Sequence, residues 1–137
     1  MFTVPGIIVA GMHVAQNTLT FQWEHLTKHL PEISDAHIGT INVQSRAALL
    51  LINPDVTVPA IAWHPDHPNL AESFSFIRIG FECPMGQPPK KGWIYMSHQS
   101  PRRYDLTLVE VITSKITGVA PDVPCCLHFE RVAGFII

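Results

Sequence analysis

Leu106-Thr-Leu-Val-Glu-Val-Ile-Thr-Ser-Lys-Ile116 is the stretch whose reading decides the fold. Its β-branched composition suits the pleated surface of a strand. Wound as a helix, the same residues place Leu108, Val109, Ile112 and Ile116 on one stripe, with Gly118 just beyond as a stop. A strand here would lie inside a sheet and a helix here would lie on one, so the two readings imply different domains.

Upstream, the clearest periodic signal begins at Asn17. Leu19, Trp23, Leu26, Leu30 and Ile33 recur at intervals of four, three, four and three, which puts them on one face of an α-helix. Asn17 or Thr18 is suited to cap it, Glu24 and Lys28 pair at i,i+4 on its outer face, and Pro31 weakens regular helix. Three short strand candidates follow, 38–44, 47–52 and 58–63, separated by turn chemistry at Ser45-Arg46 and Asn53-Pro54-Asp55. A meander is their simplest arrangement. A fourth candidate, 73–83, alternates Phe74 and Phe76 against Ile77, Ile79 and Phe81, so both of its faces are apolar and it should be well buried. Pro84 ends it. Residues 84–104 read as a surface loop that carries four prolines, no acidic residue, and the cations Lys90, Lys91, Arg102 and Arg103. The Val4–Ala10 run suits a strand, with Pro5-Gly6 making its start a turn or an edge, and the tail segments 125–129 and 132–137 are apolar enough to pack on the domain.

The bulk properties bound the rest. A chain of 137 residues fits one domain, 1–137, with a real core, and 47% hydrophobic against 15% charged residues excludes a disordered tail or a nucleic-acid-coating protein. The longest apolar stretch, Ala47 to Ile52, is too short to span a bilayer, and the N-terminus lacks the pattern of a secretory signal. No membrane partner and a cytoplasmic location are expected. Three cysteines, Cys83 and the vicinal pair Cys125-Cys126, argue for reduced thiols rather than a disulfide framework.

One ordered series of features stands out. Leu49-Leu-Leu-Ile-Asn-Pro54 and Val58-Pro-Ala-Ile-Ala-Trp63 lead into His67-Pro68-Asn69, which is followed fourteen residues later by Cys83, then Trp93, Ser100-Pro101 and the 106–116 run. In this order the chain resembles the core of a ubiquitin-conjugating enzyme. The resemblance implies an α+β domain, with an N-terminal helix packed on an antiparallel meander, a C-terminal helix over 106–116, and residues 1–17 as an extension. It implies a transferase. Cys83 would carry a ubiquitin-like modifier as a thioester, received from its activating enzyme, and pass it to an amine of a target protein. Asn69 would donate to the oxyanion, and His67 with Pro68 would shape the turn that holds it. The interval from Asn69 to Cys83 is longer than the family's usual one, which leaves room for an added loop. The plain alternative is that Cys83 is a buried small hydrophobe ending a core strand. No cofactor is called for.

Two further classes compete. Lys90-Lys91-Gly-Trp93-Ile-Tyr95 and Arg102-Arg103-Tyr104 interleave cations with aromatics, as surfaces do that stack bases and neutralise phosphates; in the conjugating reading the same residues would contact the modifier or its target. A non-catalytic adaptor of the same fold is the other. His64-Pro-Asp-His67, His25 with His29, and Cys125-Cys-Leu-His128 offer metal-ligating types, but none completes the three or four convergent ligands that zinc requires, so no metal site is expected.

Overall fold

Leu108–Thr113, the middle of the ambiguous stretch, is a strand hydrogen-bonded on both sides. The helical stripe loses because both faces of this segment are covered: Val109 and Val111 point into one core and Ile112 into another. A segment buried on two faces needs no polar side, and β-branched residues then fit the pleat better than a helical turn.

The computed structural model describes residues 2–10, 15–98 and 105–136. In chain order its elements are β1 (Phe2–Ile8), α1 (Ala15–His29), a 3-10 turn (Pro31–Ile33), β2 (Ile41–Ser45), β3 (Leu49–Leu51), β4 (Val56–Ile61), β5 (Glu72–Glu82), β6 (Lys90–Ser97), β7 (Leu108–Thr113), β8 (Pro124–Phe129) and β9 (Gly134–Ile136). Strands β5, β6, β7, β2, β1 and β8 pair in that order, all antiparallel, and β8 returns to β5 to close a six-stranded barrel. A barrel this narrow is filled by its own side chains. Val4, Val43, Ile77, Ile79, Phe81, Ile94, Val111, Leu127 and Phe129 fill it, none more than 4% exposed.

β5 organises the rest. One edge pairs with β6 along its length; the other pairs first with β4 (Val56↔Phe76, Val58↔Phe74) and then with β8 (Ile79↔Phe129 to Glu82↔Cys126). Phe74 and Phe76 point outward, where Leu19 and Leu26 of α1 and Leu30 just after it pack together with Val58, Trp93, Tyr95 and Ile112. Beneath the helix the Tyr95 hydroxyl donates to Gln22 Oε1 at 2.8 Å, so this buried polar pair is satisfied. β3 and β9 form a separate two-stranded ribbon, Leu49↔Ile136 to Leu51↔Gly134.

The expected α+β domain of the ubiquitin-conjugating type is therefore corrected to a closed β-barrel with one α-helix, and no C-terminal helix exists over 106–116. The α1 stripe lies where its spacing put it, although the helix already runs from Ala15 and places Asn17 and Thr18 inside it rather than at a cap. The three short strands exist but do not form a meander: β2 pairs with β1 and β7, β3 with β9, and β4 with β5. Residues expected to form an N-terminal extension contain β1, a barrel strand whose Gly6 lies so close to Gln44 O that a Cβ there would sit 2.7 Å from it. The expected loop 84–104 contains β6, because the prolines flank Lys90–Ser97 rather than interrupt it.

Asp55 ties the β3–β4 turn to the segment between β8 and β9. It accepts from Arg131 Nε at 2.6 Å and from the backbone N–H of Arg78 at 2.7 Å. Burial alone would raise its pKa, but these hydrogen bonds and the two guanidinium charges outweigh burial and hold it below the ordinary value. A depressed carboxyl pKa contributes stability that is present above the unfolded-state value and lost as pH falls through the folded one. Stability should therefore drop on acidification below about pH 4, and Asp55→Asn should be less stable near neutrality with a flatter acid limb, both read from urea midpoints across pH. The ribbon offers a second test. A Cβ on Gly134 would be driven into the Leu50 carbonyl, so Gly134→Ala should cost about 1–3 kcal/mol and raise hydrogen exchange at Leu49–Leu51 while the barrel amides stay protected.

Candidate functional site

The inward positions of β5 run Ser73, Ser75, Ile77, Ile79, Phe81: two hydroxymethyls and then three bulky side chains. Where the series turns small, the interior is not filled. A cavity of about 550 Å³ opens there between the barrel end and the ribbon β3–β9. Leu49, Leu51, Ile94, Met96, Leu106 and Leu108 give it aliphatic walls, Thr57, Ser75, Ser97 and His98 give it a polar side, and the acidic residues Asp105 and Glu110 also line it.

The polar side is a connected cluster. Ser73 and Ser75 are two apart on β5 and so share a face, and His98 follows directly on β6, whose Ser97 pairs with Phe74. The backbone N–H of His98 donates to Ser73 O at 3.2 Å, which brings the ring alongside both hydroxyls. Nδ1 lies 2.7 Å from Ser73 Oγ and Nε2 lies 2.6 Å from Ser75 Oγ. Thr57, opposite Ser75 in the β4–β5 ladder, places its Oγ1 3.2 Å from Ser75 Oγ. Glu72, one residue before Ser73, accepts from Trp63 Nε1 at 3.0 Å. Burial raises the Glu72 carboxyl, while the Trp63 hydrogen bond and the nearby His98 charge pull it back. Ser75 is buried, whereas Thr57 and His98 reach the surface.

The residues singled out from the sequence do not assemble. Asn69 and His67 lie exposed in the connection before β5, with the His67 ring against that of His64, 4.7 Å between centroids. Cys83 lies just past the other end of that eleven-residue strand, on the order of 30 Å away at the rise of extended chain. It is buried in the barrel core, and burial pushes its thiol up. Lys90 and Lys91, exposed at the start of β6, stand beside that end of β5, yet desolvation of the thiol dominates. Trp93 is buried under α1 and has no free face for stacking. Arg102 and Arg103 lie outside the described residues. Among the described residues no group of three histidine, cysteine or acidic side chains converges as a metal site, and no helix is long and apolar enough to cross a membrane.

One register step beyond Glu82↔Cys126, Cys83 stands across from Cys125. Burial, then the neighbouring Cys83 and Cys126, push the Cys125 thiol up to about 12.

The serine–histidine cluster was not foreseen. Ser73-Phe-Ser75 is a readable same-face pair of hydroxyls in an apolar strand, but nothing in the sequence places His98, 23 residues further on, between them. No protein-family model matches this chain, and none of the curated proteins compared with it is significantly similar.

A thiolate is the reactive form, and all three cysteines are buried with raised pKa values. Native-state alkylation should accordingly be slow at every cysteine, slowest at Cys125, and fast in denaturant. Time-resolved peptide mass spectrometry checks this, and a native rate at Cys83 near that of a free thiol would show that the β5–β8 end of the barrel opens.

Proposed function

We propose that this protein is a ligand-binding β-barrel that takes a small, predominantly apolar molecule into the cavity beside the β3–β9 ribbon. The observation that carries this reading is the cavity itself, about 550 Å³ and lined mainly by aliphatic side chains with a minority of polar ones. That is the size and make-up of sites that bury small organic molecules: apolar surface supplies the affinity, and a few convergent polar groups set orientation. Here the orienting groups are the Ser75 hydroxyl and the His98 ring. Exposed Leu50 and Ile52 continue the apolar surface from the cavity wall to its rim, a path along which an apolar ligand enters.

The thioester-carrier reading, with a ubiquitin-like modifier and its activating enzyme as partners, draws no support from this geometry. The acyl-carrying thiol would be desolvated and the oxyanion donor would stand at the far end of β5. The nucleic-acid reading loses Trp93 as a stacking platform, since the ring is under the helix. Three free, buried thiols suit a reducing compartment, and a cytoplasmic location remains our proposal.

The test is uptake of a neutral solvatochromic dye. The wild-type chain should bind it with a blue-shifted emission. Met96→Trp, which fills the cavity from β6, should weaken binding at least about tenfold, equivalent to about 1.4 kcal/mol, while the melting transition stays cooperative. Equal dye response from wild type and Met96→Trp would place the dye elsewhere and end this reading.

A further inference from the structure

Building on the ligand-binding reading, we propose that Ser75 is a nucleophile and His98 its general base, and that the cavity is the acyl pocket of an esterase acting on esters of aliphatic carboxylic acids. The three relations that such chemistry requires are present. The nucleophile's oxygen is within hydrogen-bond reach of the base, 2.6 Å from Nε2. The base is oriented through its other nitrogen, 2.7 Å from Ser73 Oγ. The nucleophile lines a cavity whose aliphatic walls can hold an acyl chain. Both hydroxyls can donate or accept, so the ring fits between them in either tautomer; the one with the proton on Nδ1, given to Ser73, leaves the Nε2 lone pair to accept from Ser75 and is the reactive arrangement. Attraction to His98 lowers the Glu72 pKa against the larger effect of burial, so a Glu72 carboxylate would in turn favour the imidazolium that forms.

The reaction balances without any co-reactant but water. As Ser75 Oγ bonds to the ester carbonyl carbon, its proton passes to His98 Nε2 and the carbonyl π pair moves to oxygen. The Thr57 hydroxyl, 3.2 Å from Ser75 Oγ, is placed to turn its proton toward that oxyanion. The carbonyl re-forms, the bond to the alkoxy oxygen breaks, and the alcohol leaves with the proton from Nε2. Water entering past the exposed His98 rim then attacks the acyl-Ser75 carbonyl with His98 again taking a proton, and Ser75 leaves protonated. One ester and one water become one acid and one alcohol. The buried Ser75 keeps the acyl-enzyme shielded, while the exposed His98 and Thr57 mark where leaving group and water pass.

The experiment treats the full chain with an octyl fluorophosphonate and locates the adduct by peptide mass spectrometry, alongside hydrolysis of p-nitrophenyl acetate and octanoate. The expected result is a single phosphonyl group on Ser75, with fluoride lost, and a higher kcat/KM for octanoate than for acetate. Ser75→Ala should abolish labelling, and His98→Ala should slow it about a hundredfold or more. Thr57→Val should slow acylation by about ten- to a hundredfold. Circular dichroism melts of each variant separate lost chemistry from lost fold. Esterase activity that persists in identically purified Ser75→Ala would be a contaminant's and would overturn the proposal, as would labelling at Ser73. Dye uptake by the wild type with no phosphonylation would overturn the catalytic assignment and leave the ligand-binding reading standing. Failure of both would remove both.

Discussion

The pairing of β5 with β8 is the constraint from which the rest of this structure follows. Four register pairs, Ile79↔Phe129 to Glu82↔Cys126, convert an open sheet with β4 at one edge and β8 at the other into a closed barrel. Closure removes the edge that β8 would otherwise present to other chains. It also forces Ile79, Phe81, Leu127 and Phe129 to face one another across a narrow interior, where they are almost fully dehydrated. At roughly 25 cal/mol per Å² of apolar area, such side chains stabilise a small barrel more than any polar contact on its surface.

The same strand produces the cavity. β5 is longer than the barrel needs, so its first half leaves the ring and pairs with β4 instead. Helix α1 covers the outer face of that extension, but the inner face, at Ser73 and Ser75, looks into open space bounded by β3, β6 and the start of β7. Hydroxyls at Ser73, Ser75 and Thr57 are therefore held on rigid strands, with the His98 ring clamped between two of them, and rigid support is what a binding or catalytic group requires. Cys83, at the opposite end of β5, shows the contrary case. Two lysines stand near it, yet removing the thiol from water costs its charged form more than exposed cations return through solvent.

Much of the local structure was legible. The Leu19–Leu26–Leu30 spacing located the helix, and apolar runs bounded by turn residues located β1, β2, β3, β4 and β5 to within a few residues. Two readings failed for separable reasons. Proline count hid β6, because prolines beside a strand weigh the same in composition as prolines within it. Order of motifs stood in for topology in the resemblance to ubiquitin-conjugating enzymes. His67-Pro-Asn69 and Cys83 are fourteen residues apart along the chain, but most of the chain between them is an extended strand, which carries them to opposite ends of β5.

What the sequence determined by itself is local: which segments are apolar on one face or two, where proline and glycine stop them, and that the thiols need no partners. What only the tertiary structure decided is which strand meets which. Every strand edge offers the same N–H and C=O groups, so β2 could pair with β3 as the meander expects or with β1 and β7 as it does. The choice rests on how distant side chains fill a shared interior. The 106–116 stretch follows the same rule: its helical stripe and its β-branched pleat were both available, and the choice went to the strand once β6, β2 and α1 covered it on every side. Ser75 beside His98 is likewise a product of that pairing, since residues so far apart in the chain become neighbours only when β5 and β6 lie side by side.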